Sequence, residues 1–348
     1  MSNKAWEIKF VSRDANDNPI AAVATVVLPT TPSLNSPEPL LAVQFAEDGL
    51  GAQCAPSHDV TGSTVDSNEQ LEGAASLQGL TLGWTVVYPD YEGPNDEFGA
   101  GRIEGQITLD SIRAAESFAP AGLNATTPVG MTGYSGGAIA TAWAASLEQS
   151  YAPELKMVAI ASGGTPASPK LIIQNIDSDE VANAAFFSLI LSAVYGTNRA
   201  YPTLLTPILN AAGVAAGNEM ANGCLGDTAS GGNGPTGVVP DFTTTSDPVD
   251  APNVVAILPQ VTLPLAGHSP IVNTLVYHSQ LDELIPIAGA DAMVAAWCAA
   301  GSPVEYYRGV SGDHVTFEAT TSTLIYAYLE SRFNGTTTLT PPGTTTCN

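Results

Sequence analysis

The chain has 348 residues and 44% of them are apolar, which is enough for a large core and too many for a disordered segment. Only 10 Lys and Arg accompany 34 Asp and Glu, giving a net charge of −24. Nucleic acids and anionic membrane surfaces are bound through Lys and Arg, so this composition argues against both partners. We attribute the excess of acidic groups to solubility, and no apolar run reaches the roughly 18 residues of a membrane span.

Strands alternate with helices along most of the chain. The first two strands flank a turn at 14–19 and are expected to pair with each other. Short apolar runs predict strands over 8–11, 20–28, 40–45, 84–88, 128–132, 157–161, 274–278 and 304–307. Helices are predicted over 101–118, 288–299 and 322–333, and a loop with a short helix over 61–79. This alternation is typical of an α/β fold whose mostly parallel sheet is covered by helices on both faces.

The block at 166–250 breaks the alternation. It contains helical apolar segments and then a Gly-, Thr- and Ser-rich stretch at 226–246, without a clear strand. We therefore predict a core formed by residues 1–165 and 251–348, with 166–250 inserted as a mainly helical cap or lid. The alternative interpretation is an additional helical layer without a gating role.

The most informative motif is the G-x-S-x-G sequence Gly133-Tyr134-Ser135-Gly136-Gly137. It follows a predicted strand and precedes a helix rich in small residues, which is the setting of a nucleophile elbow. Such a turn holds the serine in a strained conformation with its hydroxyl exposed, and the flanking glycines let strand and helix approach closely. The motif is weak by itself, and its position between a strand and a helix makes Ser135 the candidate nucleophile.

A serine nucleophile needs a base, and in this fold the chain order is Ser, then Asp or Glu, then His. His314 lies in a loop directly after a predicted strand, where the sites of α/β proteins collect. His278 comes too early in the chain to be the base and is interpreted as a packed or hydrogen-bonded loop histidine. His268 has no strand beside it, so His314 is the candidate base.

The orienting carboxylate and the oxyanion donors complete the predicted site. Asp282 follows the strand at 274–278 and is the candidate acid, with Glu283 as the alternative. A negative oxygen that develops during acyl transfer needs hydrogen-bond donors. The backbone N–H of Gly136 is the first candidate, and that of Asp90, after the strand at 84–88, is the second.

The chain has four cysteines, Cys54, Cys224, Cys298 and Cys347. None has C-x-x-C spacing, which argues against zinc. Their even number favours two disulfides in an oxidising compartment, and four free thiols are the alternative. The first residues lack the apolar segment of a signal peptide, so the protein is either cytoplasmic or a mature form from which that segment has been removed. The cysteines and the acidic composition favour the second, and we expect a secreted protein. No P-loop, H-E-x-x-H or EF-hand loop is present, and we expect neither a metal nor an organic cofactor.

These residues resemble the secretory lipase family of the α/β-hydrolases over nearly the whole chain. The motifs that carry the resemblance are residues 132–138 around the candidate nucleophile, 88–93, 105–114, and the pairing of Asp282 with His314. The chain differs from the family in lacking a leading segment before Trp6. The Gly- and Thr-rich stretch in its cap prevents any assignment of acyl-tunnel residues from the resemblance.

The resemblance implies an α/β-hydrolase fold with a helical cap. It implies a catalytic triad and an oxyanion hole at the residues proposed above, namely Ser135, Asp282 and His314 for the triad and Asp90 and Gly136 for the hole. It also implies the two disulfide pairs, Cys54 with Cys224 and Cys298 with Cys347.

We therefore predict a secreted serine carboxylic-ester hydrolase, a lipase or esterase that acts as a monomer on an ester or acylglycerol through an acyl-enzyme. An acyltransferase or a hydrolase of bulky or polymeric esters would use the same triad. A serine peptidase is less favoured because no propeller-like repeat accompanies the fold. A non-catalytic binding module would be expected to lack a triad member.

Overall fold

The computed structural model describes residues 3–35, 37–59, 76–178, 180–225, 234–336 and 341–347. Within these ranges nine strands form one sheet in the order β1-β2-β4-β3-β5-β6-β7-β8-β9. The strands are β1 (Lys4–Arg13), β2 (Pro19–Leu28), β3 (Leu40–Gln44), β4 (Thr85–Pro89), β5 (Val129–Tyr134), β6 (Met157–Gly163), β7 (Thr274–Ser279), β8 (Val304–Gly309) and β9 (Thr345–Cys347).

The sheet is mostly parallel, as predicted. All neighbours from β4 across to β8 pair in parallel. The β1–β2 hairpin joins one edge antiparallel, and β9 joins the other edge antiparallel. Every residue of β3 and β5 is buried, which explains why parallel strands covered on both faces appear in the sequence as unbroken apolar runs.

Helices cover the sheet. They are α1 (Pro56–Asp59), α2 (Gly101–Ser117), α3 (Ser135–Tyr151), α4 (Pro169–Ser178), α5 (Glu180–Ala200), α6 (Ala211–Met220), α7 (Pro252–Val261), α8 (Ile287–Ala299) and α9 (His314–Phe333). The predicted strands and helices recur at these places within a few residues. The predicted loop and short helix at 61–79 lie largely outside the described residues.

Two elements differ from the predictions. Helix α9 begins at His314 and not near residue 322, because the Asp313 side chain caps it by accepting from the Thr316 N–H at 2.8 Å. The β-branched threonines of its first turns obscure the helical pattern in the sequence. The polar tail was not predicted as a strand, yet β9 pairs with β8 beside a disulfide.

The segment between β6 and β7 carries four helices, α4 to α7, in its described part. Their apolar side chains share one buried cluster with α2 and with the loop at Leu284 and Ile285. This cluster lies over the carboxyl ends of the parallel strands, where the loops after β5 and β7 also meet. The exact limits of the segment and its action as a lid stay predictions.

Both disulfides implied by the resemblance are present. Cys54 is bonded to Cys224, and Cys298 is bonded to Cys347. The first joins the loop after β3 to the end of α6, and the second joins α8 to β9. In the described ranges, no helix is long and apolar enough to cross a membrane.

We expect both disulfides to stabilise the fold, the first more than the second. The Cys54→Ala/Cys224→Ala variant opens a loop of 170 residues, against 49 for Cys298→Ala/Cys347→Ala. Loop-closure entropy then predicts that the first variant loses about 1 kcal/mol more unfolding free energy than the second. Unfolding in guanidinium chloride measures both values. Equal losses, or a larger loss from the short loop, would contradict the prediction.

Candidate active site

Ser135 lies at the turn between β5 and α3 and has a φ of 50°, a left-handed conformation that is strained for a non-glycine residue. The turn is possible because two glycines bring the backbones together. A Cβ on Gly133 would lie 2.5 Å from the carbonyl oxygen of Gly137. A Cβ on Gly137 would lie 2.1 Å from the carbonyl oxygen of Gln44 in β3. The motif therefore forms the elbow geometry that its sequence predicts.

A continuous hydrogen-bond chain joins the three candidate catalytic side chains. His314 Nε2 lies 2.8 Å from Ser135 Oγ, and His314 Nδ1 lies 2.7 Å from Asp282 Oδ2. Ser135 follows β5, Asp282 follows β7, and His314 begins α9 after β8. Three distant segments thus meet at the carboxyl end of the sheet, as parallel strand direction requires.

Asp282 is held as a carboxylate. Its Oδ1 accepts the backbone N–H groups of Leu284 at 3.1 Å and Ile285 at 2.7 Å. Burial alone would raise the pKa of Asp282, but hydrogen bonds from His278 and His314 outweigh burial and lower that pKa. The side chain is fully buried, so its charge acts on His314 with little screening by water.

His314 is fixed at both its ring and its backbone. Burial would lower the pKa of the imidazole, but the hydrogen bond and the charge of Asp282 raise it. The Glu283 carboxylate accepts the His314 backbone N–H at 3.0 Å, so the alternative acid binds the main chain and Asp282 binds the ring. The Tyr134 hydroxyl donates to the His314 carbonyl at 2.8 Å. His268 lies elsewhere, near Ser150.

The prediction of Asp90 as an oxyanion donor is wrong. Its backbone N–H already donates to the Val23 carbonyl at 3.1 Å, because Asp90 continues the pairing of β4 with β2. Its carboxylate accepts from the backbone and the hydroxyl of Ser57 at 2.9 and 2.8 Å. In the sheet order, β3 separates β4 from the nucleophile strand β5, which removes Asp90 from the site.

Asp48 stands where Asp90 was expected. It follows β3, the strand next to β5, and lines the same cavity as Ser135 and Gly136. Any side chain on Gly136 would overlap the Asp48 carboxylate, so the two residues are in direct contact. Asp48 also has a positive φ of 43°. The sequence could have indicated Asp48, because in this fold the second oxyanion donor comes from the loop after the third strand.

Ser135 opens onto an apolar cavity of about 100 Å³. Helices α4, α5 and α7 supply nearly half of its lining residues, and Leu284 and Ile285 from the loop after β7 also line it. The apolar lining includes Ile172, Ile173, Leu189, Ile190, Val194, Leu204, Leu205, Val254, Leu258, Val261, Leu284 and Ile285. Such a lining suits a hydrocarbon chain bound beside the nucleophile. In the described part of the chain, no group of three or more His, Cys, Asp or Glu could hold a metal ion.

Three glutamates are buried behind the Asp48 loop. Glu47, Glu92 and Glu104 are each at most 2% exposed. Burial raises the pKa of all three well above the usual value, and the negative charges of the neighbouring carboxylates raise it further. Neither carboxyl oxygen of Glu92 has a hydrogen-bond partner among the described residues. Ionisation of these three groups is therefore disfavoured in the folded protein.

The sequence is similar to known lipases. Residues 60–340 match the family described as Secretory lipase. Over 347 residues the chain is 33% identical to a secreted triacylglycerol lipase of Malassezia furfur, covering 95% of this chain and 68% of that protein.

The fold is similar to those of solved hydrolases. The closed state of Candida antarctica lipase A superposes with a TM-score of 0.87 at 28% identity, over 96% of this chain and 79% of that one. A rice cell wall degrading esterase from Xanthomonas oryzae, crystallised as a mutant, matches with a TM-score of 0.70 at 19% identity. That match covers 95% of this chain and 91% of the esterase, and it bears on the fold alone. The α/β-hydrolase fold is thereby confirmed.

Because these glutamates are buried, we expect the free energy of unfolding to fall as pH rises. Folding raises the pKa of each of these carboxyl groups. Such a group stabilises the folded protein in full below the pKa that it has in the unfolded chain. This contribution is lost as pH rises through the higher pKa that the group has in the folded protein. Glu92→Gln removes the ionisable group, so its thermal midpoint should exceed the wild type's at pH 8 by about 2 °C or more, which corresponds to roughly 1 kcal/mol. At pH 4 the two proteins should differ little.

Thermal unfolding at both pH values tests this, with the exposed Glu219→Gln as the control for an equal change in net charge. An equal rise of the thermal midpoint in both variants would mean that the change in net charge causes the effect. A gain from Glu92→Gln that does not grow with pH would contradict the prediction.

Proposed function

The chain belongs to the secretory lipase family and is a carboxylic ester hydrolase, and from this premise we propose that it works through a Ser135–His314–Asp282 triad and an acyl-enzyme. The observation that carries the proposal is the unbroken hydrogen-bond chain through these residues, at 2.8 and 2.7 Å, beside an apolar cavity. The presence of two disulfides and the secreted relative support action outside the cell.

In the acylation step, Ser135 Oγ attacks the ester carbonyl carbon while His314 Nε2 takes the hydroxyl proton. Asp282 accepts the Nδ1–H of His314 and stabilises the imidazolium that forms. The tetrahedral intermediate collapses when the ester C–O bond breaks, and His314 gives its proton to the leaving alcohol. The product is an acyl group bonded to Ser135 Oγ.

The oxyanion is held by backbone donors. The Gly136 N–H lies at the start of α3, where the helix dipole also favours negative charge. We assign the second donor to the Asp48 N–H, because Asp48 contacts Gly136 and lines the cavity at Ser135. Each such donor contributes roughly 100- to 1000-fold to kcat in related chemistry.

Water completes the cycle. His314 Nε2 removes a proton from a water molecule that attacks the acyl carbonyl, and the second tetrahedral intermediate releases a carboxylic acid as the proton passes to Ser135 Oγ. No step requires a group that the chain does not supply. Because His314 must be neutral, activity falls as pH drops below its raised pKa.

The substrate class follows from the cavity. An apolar wall next to the nucleophile favours the acyl chain of a long ester or an acylglycerol. The helical segment predicted as a cap, residues 166–250, forms much of that wall with α4 and α5, and we propose that it selects the acyl chain. We propose a monomer, since every group in the mechanism comes from one chain.

Ser135→Ala should abolish ester hydrolysis without unfolding the protein. The loss should be at least about ten-thousandfold in kcat, because the variant retains only binding and oxyanion contacts. Initial rates on p-nitrophenyl esters from acetate to palmitate measure it. Ser150→Ala, at the exposed end of the same helix, is the matched control and should retain activity. Wild-type turnover in Ser135→Ala would refute the triad.

Val254→Phe should shorten the acyl chain that the enzyme accepts. Val254 is buried in the cavity wall, whereas Val255 next to it on α7 is 48% exposed. The added ring displaces two or three methylene groups, each contributing about 0.8 kcal/mol, so kcat/KM on palmitate should fall about 10- to 50-fold. Acetate hydrolysis should change little, and Val255→Phe should resemble wild type on both esters. A loss that is equal for acetate and palmitate would mean that the cavity does not bind the acyl chain.

A further inference from the structure

A second histidine lies behind the triad. His278, in β7, is fully buried and precedes Asp282 by four residues. Its Nε2 lies 3.0 Å from the Ile285 carbonyl oxygen and 3.2 Å from Asp282 Oδ2. Oδ2 is the same carboxylate oxygen that accepts the Nδ1–H of His314. No step of the mechanism above uses His278.

The surroundings define the proton state of His278. The Ile285 carbonyl can only accept, so Nε2 must carry the hydrogen, and that hydrogen is shared between the carbonyl and Asp282. Nδ1 is buried and has no hydrogen-bond partner among the described residues. A proton there would be a buried donor without an acceptor, whereas a proton on Nε2 has two acceptors, so the contacts favour the Nε2–H tautomer.

We propose that His278 is a positioning residue for Asp282, one that orients Oδ2 toward His314 and tunes the basicity of the catalytic imidazole. The proposal rests on the triad assigned above. Asp282 Oδ1 is held by the N–H groups of Leu284 and Ile285, but Oδ2 has only the two histidines as donors among the described contacts. Among the described contacts, His278 therefore supplies the one donor to Oδ2 besides His314.

The same bond closes the acid loop. By donating to the Ile285 carbonyl, His278 joins the end of β7 to the residue three positions beyond Asp282. The loop cannot rotate the carboxylate away from His314 without breaking this contact. If His278 only filled space, its Nε2 would not need to carry a hydrogen. Positioning Asp282 does require that hydrogen, so variants with and without a donor distinguish the two roles.

The hydrogen bond from His278 to Asp282 lowers the pKa of His314. A donor on Oδ2 draws off part of the negative charge that the imidazolium senses. Because the Leu284 and Ile285 N–H groups still hold the carboxylate, losing that donor leaves more charge facing His314, so the imidazolium is stabilised and the pKa of His314 rises. The other titratable groups that face His314 are Glu283 from the acid loop, Glu318 from its own helix and the Tyr134 hydroxyl from β5. None of these changes when His278 is replaced.

The experiment compares His278→Phe, which preserves the ring shape without a donor, with His278→Gln, whose amide N–H can occupy the place of Nε2. His268→Phe, away from the site, is the matched control. Rates of p-nitrophenyl butyrate hydrolysis are measured from pH 4 to 9 and normalised to sites titrated with an organophosphate. Near-ultraviolet circular dichroism establishes that each variant is folded.

We expect His278→Phe to lower kcat/KM about tenfold, the usual effect of losing a hydrogen bond to a charged group, and to move the acidic limb of the profile to higher pH. His278→Gln should restore both. An acidic limb at the wild-type position in folded His278→Phe would overturn the proposal.

If His278→Phe does not fold, His278→Asn replaces it, because its shorter amide cannot reach the place of Nε2. Identical pH profiles for the Asn and Gln variants would then overturn the proposal. Ser135→Ala, measured in parallel, separates the two hypotheses. Activity that persists in Ser135→Ala refutes the triad, whereas activity that depends on Ser135 but ignores His278 refutes the positioning role alone.

Discussion

A carboxylate removed from water must receive hydrogen-bond donors, and the site depends on how Asp282 obtains them. Two come from the backbone of its own loop, one from the catalytic histidine and one from His278. These bonds offset the cost of burying the charge, which would otherwise be several kcal/mol. The loop after β7 thus has to wrap around the carboxylate, and its conformation places Oδ2 where His314 can use it. The position of the His314 ring is therefore tied to the hydrogen bonds that the buried Asp282 carboxylate receives.

The buried glutamates differ from Asp282 because folding raises their pKa values, whereas it lowers that of Asp282. Glu47 and Glu92 are as deeply buried as Asp282, but the charges around them are those of other carboxylates. Their pKa values are raised because burial removes them from water and ionisation would place like charges together in a medium that screens them poorly. The formal charge of −24 counts these groups as ionised, although burial disfavours their ionised form in the folded molecule.

Much of the fold, and the three side chains that form the hydrogen-bond chain, could be predicted from the sequence because strand patterns and the motifs after them are local. Apolar runs identify buried strands, and the chain order of nucleophile, acid and base restricts the histidine to His314. The oxyanion residue could not be chosen this way. Asp48 and Asp90 both follow parallel strands, and only the spatial order β4-β3-β5 shows which strand adjoins the nucleophile. Strand β9 was missed since three residues carry no periodicity, and its place depends on the bond from Cys347 to Cys298.

The loop that carries Asp48 is also the loop that the longer disulfide anchors. Cys54 joins it to Cys224, which lies just after α6 within the helical segment, and the Leu50 N–H donates to the Gly223 carbonyl at 2.9 Å beside that bond. The helical segment between β6 and β7 and the proposed oxyanion donor therefore share one covalent attachment. A displacement of the helices that changed the cavity would be transmitted to the Asp48 loop through this attachment. Because disulfides form and persist in oxidising compartments, the geometry of the Asp48 loop is linked to the redox conditions in which the protein folds.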